Sequence, residues 1–249
     1  MNYTERSSFS AVPIAADTHA LFLDFDGTLA PLQDDPDTVA LPHGGDQTLL
    51  HLSKLLDGAL VLISGRDIRD LSLRTPQALR RAGGHGLEVC QPGQAANPQS
   101  EAISQDLREA AERIAASLDG VRIEHKGPVL AVHFRQNPSA EQTLLKSFQA
   151  LAEQTDGYKS QHGKMVIELK PERANKGVAL EAMMQSPPFS GRVPIMVGDD
   201  TTDEDAMQVA SKLGGFGIKV GDGATFADHR FENTAIVWQW LRSIVNEHA

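Results

Sequence analysis

The chain has 249 residues, 41% of them hydrophobic, which suffices for one large domain or for a core with an insertion. Its net charge of −10 argues against nucleic acid or an anionic membrane as the main partner, since both are negative. A single cysteine, Cys90, excludes an intramolecular disulfide and any paired-cysteine zinc motif, so a reducing, cytoplasmic location is expected.

Residues 1–18 lack the continuous apolar stretch of a signal peptide and read as a leader of modest order; no run approaches the length of a membrane span. Leu21-Phe22-Leu23 then forms a short apolar strand that runs into Asp24-Phe25-Asp26-Gly27-Thr28-Leu29. A buried strand gains nothing from aspartate, and charge at its exit costs desolvation unless a cation or water meets it. Taken alone, the same residues also read as a turn, with Gly27 permissive and Asp26 bonding locally. Recurrence favours chemistry. Ala59-Leu60-Val61-Leu62-Ile63 ends in Ser64-Gly65-Arg66, and Val193-Pro194-Ile195-Met196-Val197 ends in Gly198-Asp199-Asp200. In an open parallel sheet all three would deliver polar groups to one edge, where ligands bind.

Between Glu88 and Lys176 the pattern changes character. Gln91 through Pro98 reads as a linker and Pro171 through Asn175 as the return. Ile103, Leu107, Ala110, Ile114 and Leu118 mark one amphipathic helix; Leu144, Leu145, Phe148 and Leu151 mark another. Two short strands are expected after each. Period two sets Val121 and Ile123 against Glu124 and Lys126. It sets Leu130, Val132 and Phe134 against His133 and Arg135, and Met165, Ile167 and Leu169 against Lys164, Glu168 and Lys170. The apolar face takes the helices. The other face leaves Glu124, Lys126, His133, Arg135, Lys164 and Glu168 open, either as an ordinary solvated surface or as donors and acceptors for sugar hydroxyls on a lid that closes.

Asn175 suits the N-cap of the helix Val178–Met184, and Lys176 sits in its first turn. A lysine there opposes the macrodipole, so it reads either as a phosphate contact or as a solvated side chain with its stem along the helix. Thr201 and Glu204 fit a capping box, which gives part of the Asp199–Asp203 cluster a structural explanation. Asp200 and Asp203 therefore either support a metal or only start a helix.

The order Asp24/Asp26, Ser64, Lys176 and Asp199 with Asp203 resembles the four motifs of the haloacid dehalogenase-like phosphohydrolases, and the resemblance spans nearly the whole chain. It implies an α/β fold: a Rossmann-like parallel-sheet hydrolase core over 1–97 and 171–249, with a smaller α+β cap (αββαββ) inserted over 98–170. Oxygen donors without Cys or His select a hard cation such as Mg²⁺, which offsets the repulsion between a carboxylate and a phosphate dianion. Asp24 is then the nucleophile, Asp26 the general acid and base, and Lys176 and the Ser64 hydroxyl grip phosphate oxygens. The resemblance implies metal contacts from Asp24, the Asp26 backbone carbonyl and the Asp199 side chain.

Local strings narrow the likeness to trehalose-6-phosphate phosphatases: Gly83-Gly84-His85-Gly86-Leu87-Glu88, Glu124-His125-Lys126, His133-Phe134-Arg135, and Gly163-Lys164 with Glu168-Leu169-Lys170-Pro171. Phe134 departs from the tyrosine common in that family. The implied substrate is trehalose 6-phosphate, contacted by Ser64, Gly65, Arg66, His85 and Gly86 in the core and by Glu124, Lys126, His133, Arg135, Lys164 and Glu168 in the lid. A monomer is expected. Sucrose 6-phosphate, a mannosyl phosphate, or a noncatalytic phosphosugar-binding module are the alternatives.

Overall fold

The computed structural model describes residues 12–97, 103–163 and 165–248. The expected leader lies largely outside them, but its end is packed: Val12 and Ile14 join the core, and the Trp240 indole N–H donates to the Val12 carbonyl at 2.9 Å. The chain forms two compact units, one of Met1–Pro98 with Asn175–Ala249 and one of Gln99–Ala174.

In the first unit, β1 (His19–Leu23) is central because four of its five residues are buried on both faces, as a parallel strand between layers requires. It pairs in parallel with β2 (Leu60–Ile63) and β9 (Val193–Gly198), with Leu21 beside both Leu60 and Ile195. With β3 (Arg80–Gly83), β4 (Glu88–Cys90), β10 (Phe216–Val220) and β11 (His229–Phe231) the order is β11-β10-β9-β1-β2-β3-β4, and only β4 runs antiparallel. Helix α1 (Gly45–Leu55) packs on α7 (Thr234–Glu247), and α5 (Lys176–Met184) packs on α6 (Thr201–Lys212). The short α2 (Ile68–Arg74) lies against β3. Each buried aliphatic side chain in this core contributes about 1.5–3 kcal/mol.

The second unit is α3 (Gln105–Ala116), β5 (Arg122–Lys126), β6 (Val129–His133), α4 (Glu141–Glu153), β7 (Tyr158–Gly163) and β8 (Val166–Pro171). All four strands are antiparallel in the order β5-β6-β8-β7. The αββαββ sequence of elements is the expected one. Leu107, Ala111, Leu144, Phe148 and the inward Leu130, Val132, Phe134, Ile167 and Leu169 make one cluster, so Phe134 is core and its difference from tyrosine falls on the apolar side. Helix α3 is rotated slightly from the expected stripe, burying Ala111 and Ala115 ahead of Ala110 and Ile114.

Two expectations about this sheet need correction. Met165 is not on the apolar face: it sits in the turn before β8 with φ +60° and is exposed. Arg135 is not on the polar strand face either, because β6 ends at His133 and Arg135 is exposed in the turn that follows. A two-residue alternation cannot show where a strand stops. Lys164 lies outside the described residues.

Candidate active site

β1, β2 and β9 run parallel, so the residues that follow them, Asp24, Ser64 and Asp199, emerge on one edge of the sheet. Glycine lets the loops meet there. Gly27 has φ +77°, and a Cβ on it would lie 2.1 Å from Asp199 Oδ2, so the turn after Asp26 accepts only glycine if Asp199 is to lie over it. Gly65 has the same role for His85: a Cβ there would be 2.7 Å from His85 Cε1. His85 is buried, with φ +58°, and its backbone N–H donates to the Ser64 carbonyl at 2.9 Å. The Ser64 hydroxyl, 1% exposed, accepts from the Arg66 backbone N–H at 3.1 Å.

Lys176 opens α5, whose N-cap is Asn175: the Asn175 Oδ1 accepts from Gly177 N at 2.7 Å and from Val178 N at 3.2 Å. This places the Lys176 ammonium, 3% exposed, between two carboxylates, 2.6 Å from Asp24 Oδ1 and 2.6 Å from Asp203 Oδ1. Both partners are buried, which rules out the solvated-lysine reading. Burial works against the ammonium, but the Asp203 and Asp24 charges outweigh it and raise its pKa.

Asp203 is a nearer member of the site than the sequence suggests, and Asp200 a more distant one. The capping box runs from Asp200 to Asp203, one residue earlier than Thr201 and Glu204. Asp200 Oδ1 accepts from Thr201 N at 2.7 Å and Asp203 Oδ2 from Asp200 N at 3.0 Å. Glu204 instead accepts from the Phe226 N–H at 2.8 Å and the Thr225 hydroxyl at 3.1 Å.

One oxygen from each of Asp24, Asp199 and Asp203 lies within 4.8 Å of the others. Burial, then the Asp203 charge, raises the pKa of Asp24 despite Lys176. Burial and Asp203 likewise push Asp199 up to about 7. Lys219 on β10 donates to the Asp199 carbonyl and is buried as well. Sequence reasoning missed it; a lone lysine in Phe216-Gly217-Ile218-Lys219-Val220 was the available signal. Three clustered carboxylates thus face excess negative charge, and a hard cation on their oxygens would relieve it; the donor set fits Mg²⁺.

Asp26 stands apart from this cluster. Its carboxylate is gripped by the Arg66 guanidinium, Nε donating to Oδ2 at 2.8 Å and Nη2 to Oδ1 at 2.6 Å. The side chain is therefore no part of the three-carboxylate group, which leaves only its backbone carbonyl for the metal contact that the resemblance implies.

Within the second unit, Glu124 Oε2 sits 2.9 Å from His133 Nε2 and 3.4 Å from Lys126 Nζ. The His133 hydrogen bond, then the Lys126 charge, hold Glu124 down at about 2 against the effect of burial. Glu168 pairs with Lys170 at 3.2 Å, and that lysine is 1% exposed. Glu124 and Glu168 flank Ala131 in the register, so these groups share the face opposite the helices. Among the described residues no helix is long and apolar enough to cross a membrane.

The sequence model of the family described as trehalose-phosphatase matches residues 22–231. The chain is 38% identical to the trehalose-6-phosphate phosphatase of Escherichia coli (strain K12) over 91% of its own length and 86% of that protein. It is 42% identical to a probable trehalose-phosphate phosphatase of Sinorhizobium fredii, covering 85% and 81% of the two chains. Among solved structures, the C-terminal domain of a Candida albicans trehalose-6-phosphate phosphatase superposes with a TM-score of 0.80 over 98% of each chain at 20% identity, a likeness of fold. The chain therefore belongs to the trehalose-phosphatase family of phosphoric monoester hydrolases, with a haloacid dehalogenase-like fold.

Proposed function

We propose that the protein hydrolyses trehalose 6-phosphate to trehalose and phosphate through an aspartyl phosphate on Asp24. The observation that carries this reading is the cluster of Asp24, Asp199 and Asp203 at the strand edge, with Asp24 and Asp203 buried against Lys176 and Asp199 part-buried beside them, a gathering of charge that no structural use offsets. Asp24, Asp199 and the Asp26 carbonyl would hold Mg²⁺, with Asp203 beside them. The cation supplies charge neutralisation between carboxylate and phosphate dianion.

The chain's own residues do the rest. An Asp24 oxygen attacks phosphorus as the bond from phosphorus to the sugar oxygen breaks. Lys176 has three donors and spends two on Asp24 and Asp203, so the third is available to a phosphate oxygen, as is the Ser64 hydroxyl. Asp26 enters the step protonated and gives that proton to the departing sugar oxygen; the carboxylate so formed takes a proton from the water that attacks the aspartyl phosphate, which restores both Asp24 and the protonated Asp26.

We assign sugar recognition to Glu124, Lys126, His133 and Glu168, whose shared polar face supports it, because a hydrogen-bonding surface rejects substrates lacking the right hydroxyls more strongly than an apolar one. Trehalose 6-phosphate should be hydrolysed with far higher kcat/KM than glucose 6-phosphate, sucrose 6-phosphate or a mannosyl phosphate. Glu124→Ala should cost about 1–3 kcal/mol on trehalose 6-phosphate, the penalty of an unsatisfied partner, and little on 4-nitrophenyl phosphate. Equal efficiency on glucose 6-phosphate, or equal loss on both substrates, overturns the assignment; binding of all four sugar phosphates without release marks a noncatalytic module.

A further inference from the structure

Asp26 is a poor candidate for fixing its own geometry. Its side chain is 29% exposed, and it stands on the turn in which Leu29 N and Ala30 N bond back to the Phe25 carbonyl. What holds it is a ladder of alternating charge that begins outside the site. Arg66 takes both Asp26 oxygens in a fork, and another of its nitrogens donates to Asp70 Oδ2 at 2.6 Å. Arg66 also donates to the Pro36 carbonyl at 3.0 Å and stacks 5.6 Å from the centre of the Phe25 ring. Asp70 is gripped in turn by Arg74, through Nε at 3.0 Å and NH2 at 2.8 Å. Arg74 ends the ladder on the carbonyls of Asp37 at 3.0 Å and Val39 at 2.8 Å. Asp70 and Arg74 stand four apart on one face of α2, and Arg66 reaches Asp70 from the loop just before the Asp67 N-cap.

We propose that Arg66 and Asp70 are positioning residues for Asp26: the Arg74–Asp70–Arg66 ladder, carried by α2 and the loop before it, fixes the carboxyl group that serves the leaving oxygen and ties it to the 36–39 segment. The inference rests on the acid and base role given to Asp26 above. A fork bond to each oxygen leaves the second lone pair of each for the proton that Asp26 carries to the leaving oxygen, so the grip orients Asp26 without blocking it. Asp70 is bonded to none of Asp24, Ser64, Lys176, Asp199 or Asp203; its contribution to Asp26 passes through Arg66. A lysine in place of Arg66 offers one point of charge and no fork.

The test compares substrates by the proton their leaving groups need. Trehalose leaves as an alkoxide unless protonated, whereas 4-nitrophenolate leaves without help. Asp70→Asn keeps shape and removes charge. It should slow trehalose release in a single turnover of trehalose 6-phosphate about tenfold, by loosening Asp26, while the single-turnover release of nitrophenolate from 4-nitrophenyl phosphate holds; the aryl rate also reports that the variant is folded. Arg66→Lys should shift the ratio of the two rates further in the same direction, to about 100-fold. Asp26→Ala is the reference. If it slows both substrates equally, the acid role fails and this inference with it. If it slows the sugar phosphate selectively but Asp70→Asn and Arg66→Lys slow both substrates alike, raise only KM, or change nothing, the ladder does not position Asp26 and the inference alone is overturned.

Discussion

Asp24→Asn is expected to abolish phosphate release while the protein stays folded. The amide matches the carboxylate in shape but is neither ionised nor nucleophilic, so no aspartyl phosphate forms. Loss of a nucleophile costs at least about 10⁴-fold in kcat when no other group can replace it. Stability should not fall in the metal-free protein. Burial and Asp203 raise the pKa of Asp24 above its ordinary value, so folding disfavours its ionised form, and that cost grows as pH rises from the carboxylate range through the folded pKa. Removing the charge relieves the cluster, although Lys176 loses one of two anionic partners. Phosphate release and thermal melting measured on the same preparation decide it: substantial turnover by a folded Asp24→Asn protein would remove the nucleophile from the account.

Asp26→Ala should slow trehalose release in a single turnover of trehalose 6-phosphate by about 10²–10⁴, the usual scale of acid and base contributions, and nitrophenolate release from 4-nitrophenyl phosphate by much less. The separation follows from the structure. Asp26 lies apart from the three carboxylates that gather near Lys176, so its removal leaves those side chains in place. Proton delivery to the leaving oxygen goes with it, and so does the base for the water that hydrolyses the aspartyl phosphate; both substrates share that second step, so only leaving-group release in the first turnover separates them. A loss of equal size on both substrates contradicts the assigned role.

Much of the site was legible because each piece of its chemistry sits at a forced position. Asp24, Ser64 and Asp199 follow apolar strands, and parallel pairing then brings them to one edge however far apart they are in sequence. Asn175 announced the helix start that aims Lys176. What stayed hidden depends on registers and partners that no local pattern encodes. The capping box slipped by one residue because Asp200 and Thr201 are both good caps, and the choice lies in Asp203 being needed beside Lys176. The short β11 (His229-Arg230-Phe231) shows no alternation long enough to read, and in β10 the buried Lys219 breaks the apolar run. The pairing of Arg66 with Asp26 joins residues forty apart. In the inserted unit, alternation identified the faces correctly at Glu124, His133 and Glu168 but overran the strand ends at Arg135 and Met165.

The most direct measurement is inorganic phosphate released from trehalose 6-phosphate by chelated protein, before and after metal is returned. The cluster of buried Asp24 and Asp203 with part-buried Asp199, whose pKa is pushed up to about 7, is expected to need a cation before a phosphate dianion can approach. Release should stop after exhaustive chelation and return with Mg²⁺ but not with Ca²⁺, whose larger and looser coordination misplaces phosphate against the nucleophile. Undiminished release from metal-free protein, or none under any metal, would contradict the account.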